Sequence, residues 1–206
     1  MERKTATSVS GFSVGENLES WILLLEEWLL TTERFYRLAG QNKGIYKYNE
    51  RIHVSILAGA AWRCGWGAIC EFKRKKSDTE RAGRADLWIR SFDKDFLCEA
   101  KFKYVDEKAN EALETLERAC SDALKKYTEM ETPYGVAFLC PSFYIEKNTL
   151  NPDIESFVDI IQDMKNNMQI DACAWCFPTY ERFEKGGCND YLPGIALIVK
   201  IPPPNN

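Results

Sequence analysis

Apolar and polar residues alternate along two short stretches near the middle of the chain, residues 84–90 and 95–102. Because successive side chains of a strand point to opposite faces, each stretch predicts a β-strand with one buried face. The apolar faces are formed by Ala85, Leu87 and Ile89 in the first stretch and by Phe96, Cys98, Ala100 and Phe102 in the second. The opposite faces carry Asp86 in the first strand and Glu99 and Lys101 in the second. We expect these three charged side chains to face solvent.

The surrounding sequence predicts a helix, three strands, a second helix and a fourth strand. Asn49 is a suitable N-cap for the first helix, and Gly65 is a suitable residue to end it. Residues 106–130 carry apolar side chains at helical spacing, which predicts the second helix. The predicted elements are a helix at 49–63, strands at 66–73, 84–90 and 95–102, a helix at 106–130 and a strand at 134–141. This order predicts an α/β fold.

Further elements are predicted on both sides of this core. Ser13-x-x-Glu16 is a capping-box pattern, and it predicts an N-terminal helix at about residues 14–37. Asn151 and Pro152 suit the N-cap and first position of another helix that extends to about residue 166. With apolar strands at 170–177 and 194–201, that helix forms a C-terminal extension at about 151–201. We interpret residues 1–206 as a single domain with its core at about 49–141.

Composition agrees with one globular domain that has no membrane segment. Of the 206 residues, 45% are hydrophobic, and the sequence has no uninterrupted apolar run of about 18 residues, the length expected of a spanning helix. Met1 and the charged residues after it lead into polar sequence, so we expect no signal peptide. These features predict a soluble cytoplasmic protein. The net charge of −4 provides no overall basic field of the kind that attracts nucleic acids.

The eight cysteines are expected to be free thiols and not disulfides or zinc ligands. Cys70, Cys98, Cys140 and Cys173 lie in predicted apolar strands, where a free cysteine packs as a small hydrophobic residue. Cys173 and Cys176 have the spacing of half a zinc site, but there is no second pair, and on a strand the two would face opposite ways. A reducing cytoplasm also keeps thiols reduced.

A short turn between the two central strands would bring two carboxylates opposite each other. If residues 91–94 form a hairpin loop, Arg90 pairs with Asp95, and the same register sets Asp86 opposite Glu99. Directly opposed residues have Cβ atoms about 4.5–5.5 Å apart, and like charges there are destabilising. We therefore expect a cation to lie between Asp86 and Glu99.

An aspartate on one strand followed by Glu-x-Lys on the next resembles the PD-(D/E)XK nuclease superfamily. The resemblance implies the restriction-endonuclease-like fold, a central mixed sheet flanked by helices. The matching residues are Asp86, Glu99, Ala100 and Lys101, although Ala85 stands where the motif has proline. The resemblance implies a metal-dependent nuclease that hydrolyses phosphodiester bonds of DNA. It implies Mg²⁺ or Mn²⁺ held by Asp86, Glu99 and the backbone carbonyl of Ala100. It also implies that Lys101 orients or deprotonates the attacking water.

Three further residues near this motif have two interpretations each. Glu50 on the first helix matches a catalytic-site glutamate that several branches of the superfamily carry there, and the alternative is a solvated helix charge. Glu71 on the first strand is either an extra site carboxylate or a strand-surface charge. His53, the only histidine, is interpreted as a surface or partly buried helix residue, and no nucleophile pattern accompanies it.

Basic residues are concentrated before the first motif strand and at the end of the second core helix. The first group is either a solvated loop or a phosphate-contacting loop, and its position beside Asp86 favours contact with DNA. The candidate DNA-binding residues are Lys73, Arg74, Lys75, Lys76, Arg81, Arg84, Lys125 and Lys126. The Gln-x-x-x-Tyr pattern of exonuclease branches is incomplete here, because Ala123 precedes Tyr127 where that pattern has glutamine.

Two functions from different classes are compatible with this sequence. The first is a metal-dependent DNA nuclease, which the intact Asp86, Glu99 and Lys101 favour. The second is a catalytically inactive nucleic-acid-binding or assembly module that keeps the nuclease fold. The acidic net charge and the lack of a separate DNA-reading motif favour this second function. In either case a homodimer or a partner subunit could supply specificity.

Overall fold

A seven-stranded mixed sheet forms the centre of the fold, with apolar layers and helices on both faces. The computed structural model describes residues 9–39, 49–73, 84–126, 132–144, 154–178 and 190–203. The helices of these residues are α1 (Ile22–Ala39), α2 (Glu50–Arg63), α3 (Ala112–Lys126) and α4 (Ile154–Asn166), and a 3₁₀ turn (Glu16–Trp21) precedes α1. The strands are β1 (Val9–Val14), β2 (Gly67–Lys73), β3 (Arg84–Arg90), β4 (Asp95–Val105), β5 (Pro133–Pro141), β6 (Phe143–Tyr144), β7 (Ala172–Phe177), β8 (Asp190–Tyr191) and β9 (Ile195–Lys200).

The strand order in the large sheet is β1-β7-β9-β5-β4-β3-β2, and β6 pairs with β8 in a separate two-stranded ladder. β4 and β5 are parallel, whereas the other neighbouring strands of the large sheet are antiparallel. The predicted order of core elements is present as α2, β2, β3, β4, α3 and β5. This confirms an α/β fold with a mixed sheet. The predicted C-terminal strands correspond to β7 and β9, which extend the same sheet beyond β5.

The two faces of the sheet carry separate apolar layers. The layer that includes α1 and α2 contains Trp21, Trp28, Leu57, Leu87, Phe96 and Phe138. The layer that includes α3 and α4 contains Leu116, Phe157, Leu139 and Ile198. Because both faces of β5 are covered, nearly all of its residues are buried, and its sequence is continuously apolar instead of alternating.

The cysteines of the described residues are free thiols, as the sequence predicts. Free cysteines are present at positions 64, 70, 98, 120, 140, 173 and 176. Cys173 and Cys176 belong to opposite apolar layers, as their spacing on a strand predicts. A joint zinc site formed by these two side chains is therefore excluded.

The helices bury one stripe of side chains each against the sheet. In α3 the buried residues include Leu116, Cys120 and Ala123, which follow one another at helical spacing. In α4 they include Phe157 and Ile161. In the part of the chain that the structure describes, no helix combines the length and the apolar character needed to cross a membrane.

The N-terminal capping box predicted at Ser13 is wrong. Ser13 lies in β1, where it pairs with Cys173 of β7, and Gly15 is the N-cap of the 3₁₀ turn that follows. The Gly15 N–H donates a hydrogen bond of 2.8 Å to the Asp171 carbonyl oxygen. Pairing along an available sheet edge satisfies several backbone groups at once, whereas a capping box satisfies two. The predicted N-cap at residues 151–152 lies outside the described residues.

The helix predicted from residue 106 begins later, at Ala112. Ala109 and Glu111 have left-handed backbone φ angles of 54° and 65°, which a helix cannot contain. Asp106 stabilises this turn, since its Oδ1 accepts a hydrogen bond of 2.8 Å from the Asn110 N–H. The turn is needed because β4 extends to Val105 and the chain must then reverse to bring α3 back over the sheet.

Candidate active site

The β3–β4 hairpin positions the first candidate carboxylate. Its loop is closed by a hydrogen bond of 2.9 Å from the Ser91 N–H to the Lys94 carbonyl. Strand pairing extends from Arg90–Asp95 to Leu87–Cys98, which confirms the predicted hairpin register.

Backbone pairing between β3 and β4 stops just before the two motif carboxylates. The register would next oppose Asp86 and Glu99, but instead Asp86 Oδ2 accepts a hydrogen bond of 2.9 Å from the Ala100 N–H. Beyond this point β3 continues alongside β2, and β4 continues alongside β5. β3 and β4 therefore separate at the motif. There the Asp86 side chain, and not a backbone carbonyl of β3, accepts the hydrogen bond from β4.

Glu99 is buried and not solvent-facing, so the expectation for this residue is wrong. Its exposed fraction is 0%, because α3 lies over its face of the sheet. The Nζ of Lys126, near the end of α3, forms an ion pair with Glu99 Oε2. Lys126, a candidate DNA-binding residue, thus neutralises a buried carboxylate in this structure.

The close approach of α3 to the sheet depends on Gly135. This residue of β5 pairs with Glu99 in the parallel ladder. A Cβ atom at position 135 would lie 2.4 Å from Cys120 Sγ and 2.9 Å from the Cys120 backbone nitrogen. Glycine at 135 therefore allows α3 to lie close enough for Lys126 to reach Glu99.

Lys101 is half-buried next to the same helix. Its Nζ lies 3.0 Å from Asp122 Oδ2 of α3. Desolvation acts to lower the pKa of Lys101, but the hydrogen bond to Asp122 and the charges of Glu50 and Asp86 outweigh it, so the pKa is raised. The lysine therefore remains protonated at neutral pH. A protonated lysine can orient a water molecule or stabilise negative charge.

Glu50 begins α2 and is directed toward the point where β3 and β4 separate. Its carboxylate accepts a hydrogen bond from the Phe102 backbone N–H. Burial raises the pKa of Glu50, and the charge of Asp86 raises it further, while Lys101 acts in the opposite direction. The charges of Glu50, Asp86 and Lys101 therefore act on one another.

A cleft of about 480 Å³ opens between α2, β2 and β3. Its lining residues are Glu50, Arg51, Val54, Ser55, Cys70, Glu71, Arg84 and Asp86. Glu71 has a backbone φ of +53°, which interrupts the regular alternation of β2. As a result, Cys70 and Glu71 both line the cleft. Cys70 is exposed, contrary to the predicted core position.

The predicted DNA-binding residues fall in different surroundings. Arg84 lines the cleft, and Lys73 is exposed on β2 directly opposite Arg84 in the strand pairing. Lys125 is exposed at the end of α3, with its Nζ 3.7 Å from Asp122 Oδ1. The remaining candidates, Arg74, Lys75, Lys76 and Arg81, lie outside the described residues.

Two residues of this region are not identified by the sequence motif. Asp122 holds Lys101, and Arg51 lines the cleft beside Glu50. Asp122 precedes Lys126 by four residues, so helical spacing could have shown that the two share a face. His53 is buried, with its ring stacked between Phe102 and Phe138, so its predicted surface or partly buried position is wrong.

The carboxylates of the cleft suit a hard divalent cation. Within the described residues, no group of three or more His, Cys, Asp or Glu side chains is arranged to hold a metal ion. Mg²⁺, however, keeps several of its waters and is commonly held by one or two carboxylates together with substrate phosphates. Asp86 and Glu50, which both line the cleft, meet this smaller requirement.

Comparisons of the chain with protein-family models, with curated proteins and with solved structures find no match. Function is therefore inferred from the residues and their geometry.

Proposed function

We propose that the protein is a metal-dependent nuclease that hydrolyses phosphodiester bonds of DNA. The main support is the convergence of Glu50, Asp86 and Lys101 at the point where β3 and β4 separate. The order of α2, β2, β3, β4, α3 and β5, with β4 and β5 parallel, further supports a restriction-endonuclease-like core.

Asp86 and Glu50 would hold Mg²⁺ or Mn²⁺, since both line the cleft. Ala100 would contribute its carbonyl oxygen. The Ala100 N–H points toward Asp86, and in an extended strand the carbonyl of the same residue points to the same side. Glu99, the second carboxylate of the motif, forms an ion pair with Lys126 in this structure, and this pair neutralises its charge. Asp86, Glu50 and the Ala100 carbonyl supply only oxygen ligands, which Mg²⁺ prefers.

The chain's own contribution to hydrolysis would come chiefly from Lys101. When bound, the metal would polarise the phosphoryl group and lower the pKa of a bound water. The Lys101 ammonium, held by Asp122, would orient the attacking water and stabilise the charge that develops on the phosphoryl oxygens. Because the Lys101 ammonium is fixed by its ion pair with Asp122, we assign it this electrostatic role.

The proposal is tested by incubating supercoiled plasmid and single-stranded DNA with the protein and Mg²⁺ or Mn²⁺, with EDTA as the metal-free comparison. We expect Lys101→Ala and Asp86→Asn to abolish cleavage. Lys103→Ala is the matched control, because Lys103 shares the strand face of Lys101 and also forms an ion pair, 2.6 Å from Glu111. Equal activity of Lys101→Ala and Lys103→Ala would exclude the mechanism.

A catalytically inactive nucleic-acid-binding module is the second candidate. The observation in its favour is that Glu99 is fully buried and paired with Lys126, an arrangement that is complete without a metal. This candidate predicts DNA binding that is unaffected by EDTA, together with no cleavage under any metal condition. The plasmid assay therefore separates the two functions.

A further inference from the structure

We propose that Arg51, Glu71 and Arg84 form a phosphate-binding rim, which grips the DNA backbone next to the bond that is cut. This inference rests on the proposed function. It assigns the two arginines to direct phosphate contact and Glu71 to the positioning of both.

The three side chains form one connected unit on the cleft. Arg51 Nε lies 3.3 Å from Glu71 Oε1, and Arg84 Nη1 lies 2.7 Å from Glu71 Oε2. Each carboxylate oxygen therefore binds a different arginine, one from α2 and one from β3. Since one negative charge joins two positive charges, the unit as a whole is cationic and suited to an anion.

The arginines are accessible to a large ligand. The side chains of Arg51 and Arg84 are 79% and 54% exposed, and that of Glu71 is 41% exposed. A guanidinium carries five N–H donors in a planar fork. The contact with Glu71 uses Nε of Arg51 and Nη1 of Arg84, and a phosphate can be bound through other edges of the same groups.

The rim adjoins the candidate metal ligands in the sequence and in the cleft. Arg51 follows Glu50 directly, and Arg84 precedes Asp86 by two residues on β3. All of these residues line the same cleft as Glu71. Two residues along a strand correspond to roughly 7 Å. An extended DNA strand with one phosphate at Asp86 would therefore present another phosphate close to the rim.

The backbone of Glu71 supports a specific role for this side chain. A φ of +53° is uncommon for a residue other than glycine, asparagine or aspartate. Such conformations persist where surrounding contacts determine them, and they are concentrated at functional sites. Here the conformation turns the Glu71 carboxylate into the cleft, where it meets both arginines.

The contribution of the arginines is tested by DNA binding in EDTA, where no cleavage occurs. A fluorescein-labelled 20-bp duplex is titrated with each protein at several KCl concentrations between about 50 and 200 mM. We expect Arg51→Ala and Arg84→Ala each to reduce the slope of log K against log salt by about 1. Arg63→Ala is the control, because Arg63 lies at the other end of α2 and pairs with Glu27 at 2.7 Å. It should leave the slope unchanged.

The positioning role of Glu71 is tested by kinetics with Mn²⁺. Glu71→Gln retains both arginines but holds them less firmly, so we expect kcat to fall about tenfold, with KM changed little. A surface ion pair without this role would leave kcat unchanged.

The outcomes for the rim and for the nuclease proposal are distinct. If the two arginine variants bind DNA with the wild-type slope, or if the wild type does not bind, the rim is excluded even where Lys101-dependent cleavage is observed. If the slopes fall but no protein cleaves DNA, the rim is supported as a binding site and the nuclease proposal fails.

Discussion

Replacing Lys126 with methionine tests the ion pair that covers Glu99. The substitution keeps most of the apolar stem and removes the ammonium that neutralises a carboxylate with 0% exposure. Removing one partner of a buried ion pair typically destabilises a protein by about 3–5 kcal/mol. For a chain of this size, 1 kcal/mol corresponds to about 2–4 °C in melting temperature, so Lys126→Met should melt roughly 6–20 °C below wild type.

The assay is thermal unfolding followed by circular dichroism in EDTA. Lys125→Met is the matched control, because the Lys125 side chain is 72% exposed and lies 3.7 Å from its acidic partner. We expect that control to change stability by no more than about 0.5 kcal/mol. The double variant Glu99→Gln/Lys126→Met should recover much of the loss, since it removes the buried charge together with its partner.

Adding Mn²⁺ connects this pair to the proposed metal site. Metal at about 100 times its Kd stabilises a folded protein by roughly 2.7 kcal/mol. If Mn²⁺ at this site also binds Glu99, it should stabilise Lys126→Met more than wild type, because the Lys126 ammonium no longer competes for that carboxylate. Equal melting temperatures of Lys126→Met and Lys125→Met in EDTA would refute the reasoning about the buried pair. If Mn²⁺ raises the melting temperatures of wild type and Lys126→Met equally, the Lys126 ammonium and Mn²⁺ do not compete.

Four other substitutions test the surrounding architecture. Gly135→Ala should destabilise the protein by about 1–3 kcal/mol and reduce cleavage, because its Cβ would lie 2.9 Å from the Cys120 backbone nitrogen. Gly59→Ala should instead stabilise α2 by about 0.5–1 kcal/mol in chemical denaturation, because nothing lies within 4 Å of its Cβ. Burial and the charge of Asp86 raise the pKa of Glu50 above 4.5 in the native state, so the native state binds this proton more tightly than the unfolded state does. The free energy of unfolding therefore decreases as the pH rises above 4.5. Glu50→Gln should therefore gain stability relative to wild type between pH 4 and pH 7 in melting curves, and a constant difference across this range would contradict the assignment. Asp86→Asn should melt at or above wild type in EDTA, because it relieves repulsion with Glu50, and it should respond little to Mn²⁺; a wild-type response to Mn²⁺ would exclude Asp86 as a ligand.

The sequence by itself determined the strands and helices that depend on local periodicity. Alternation in residues 84–90 and 95–102 predicted β3, β4 and their buried faces, because the two-residue period of a strand is a property of the backbone. The hairpin register followed from the loop length, and the observed pairing of Arg90 with Asp95 agrees with it. Glu50 became a candidate only through the resemblance to the nuclease superfamily, and in the structure its charge and those of Asp86 and Lys101 act on one another.

Only the tertiary structure decided which polar strand faces are covered by a helix. Glu99 and Lys101 occupy alternate positions on one strand face, yet Glu99 is fully buried and Lys101 is half-buried, because α3 lies close to β5 at Gly135. Ser13 matched a local capping pattern but pairs with a strand more than 150 residues later in the chain. Asp122 and Arg51 form ion pairs with Lys101 and Glu71, which lie on other elements. Local patterns record how a segment can fold, whereas burial and ion pairing depend on which distant segment packs against it.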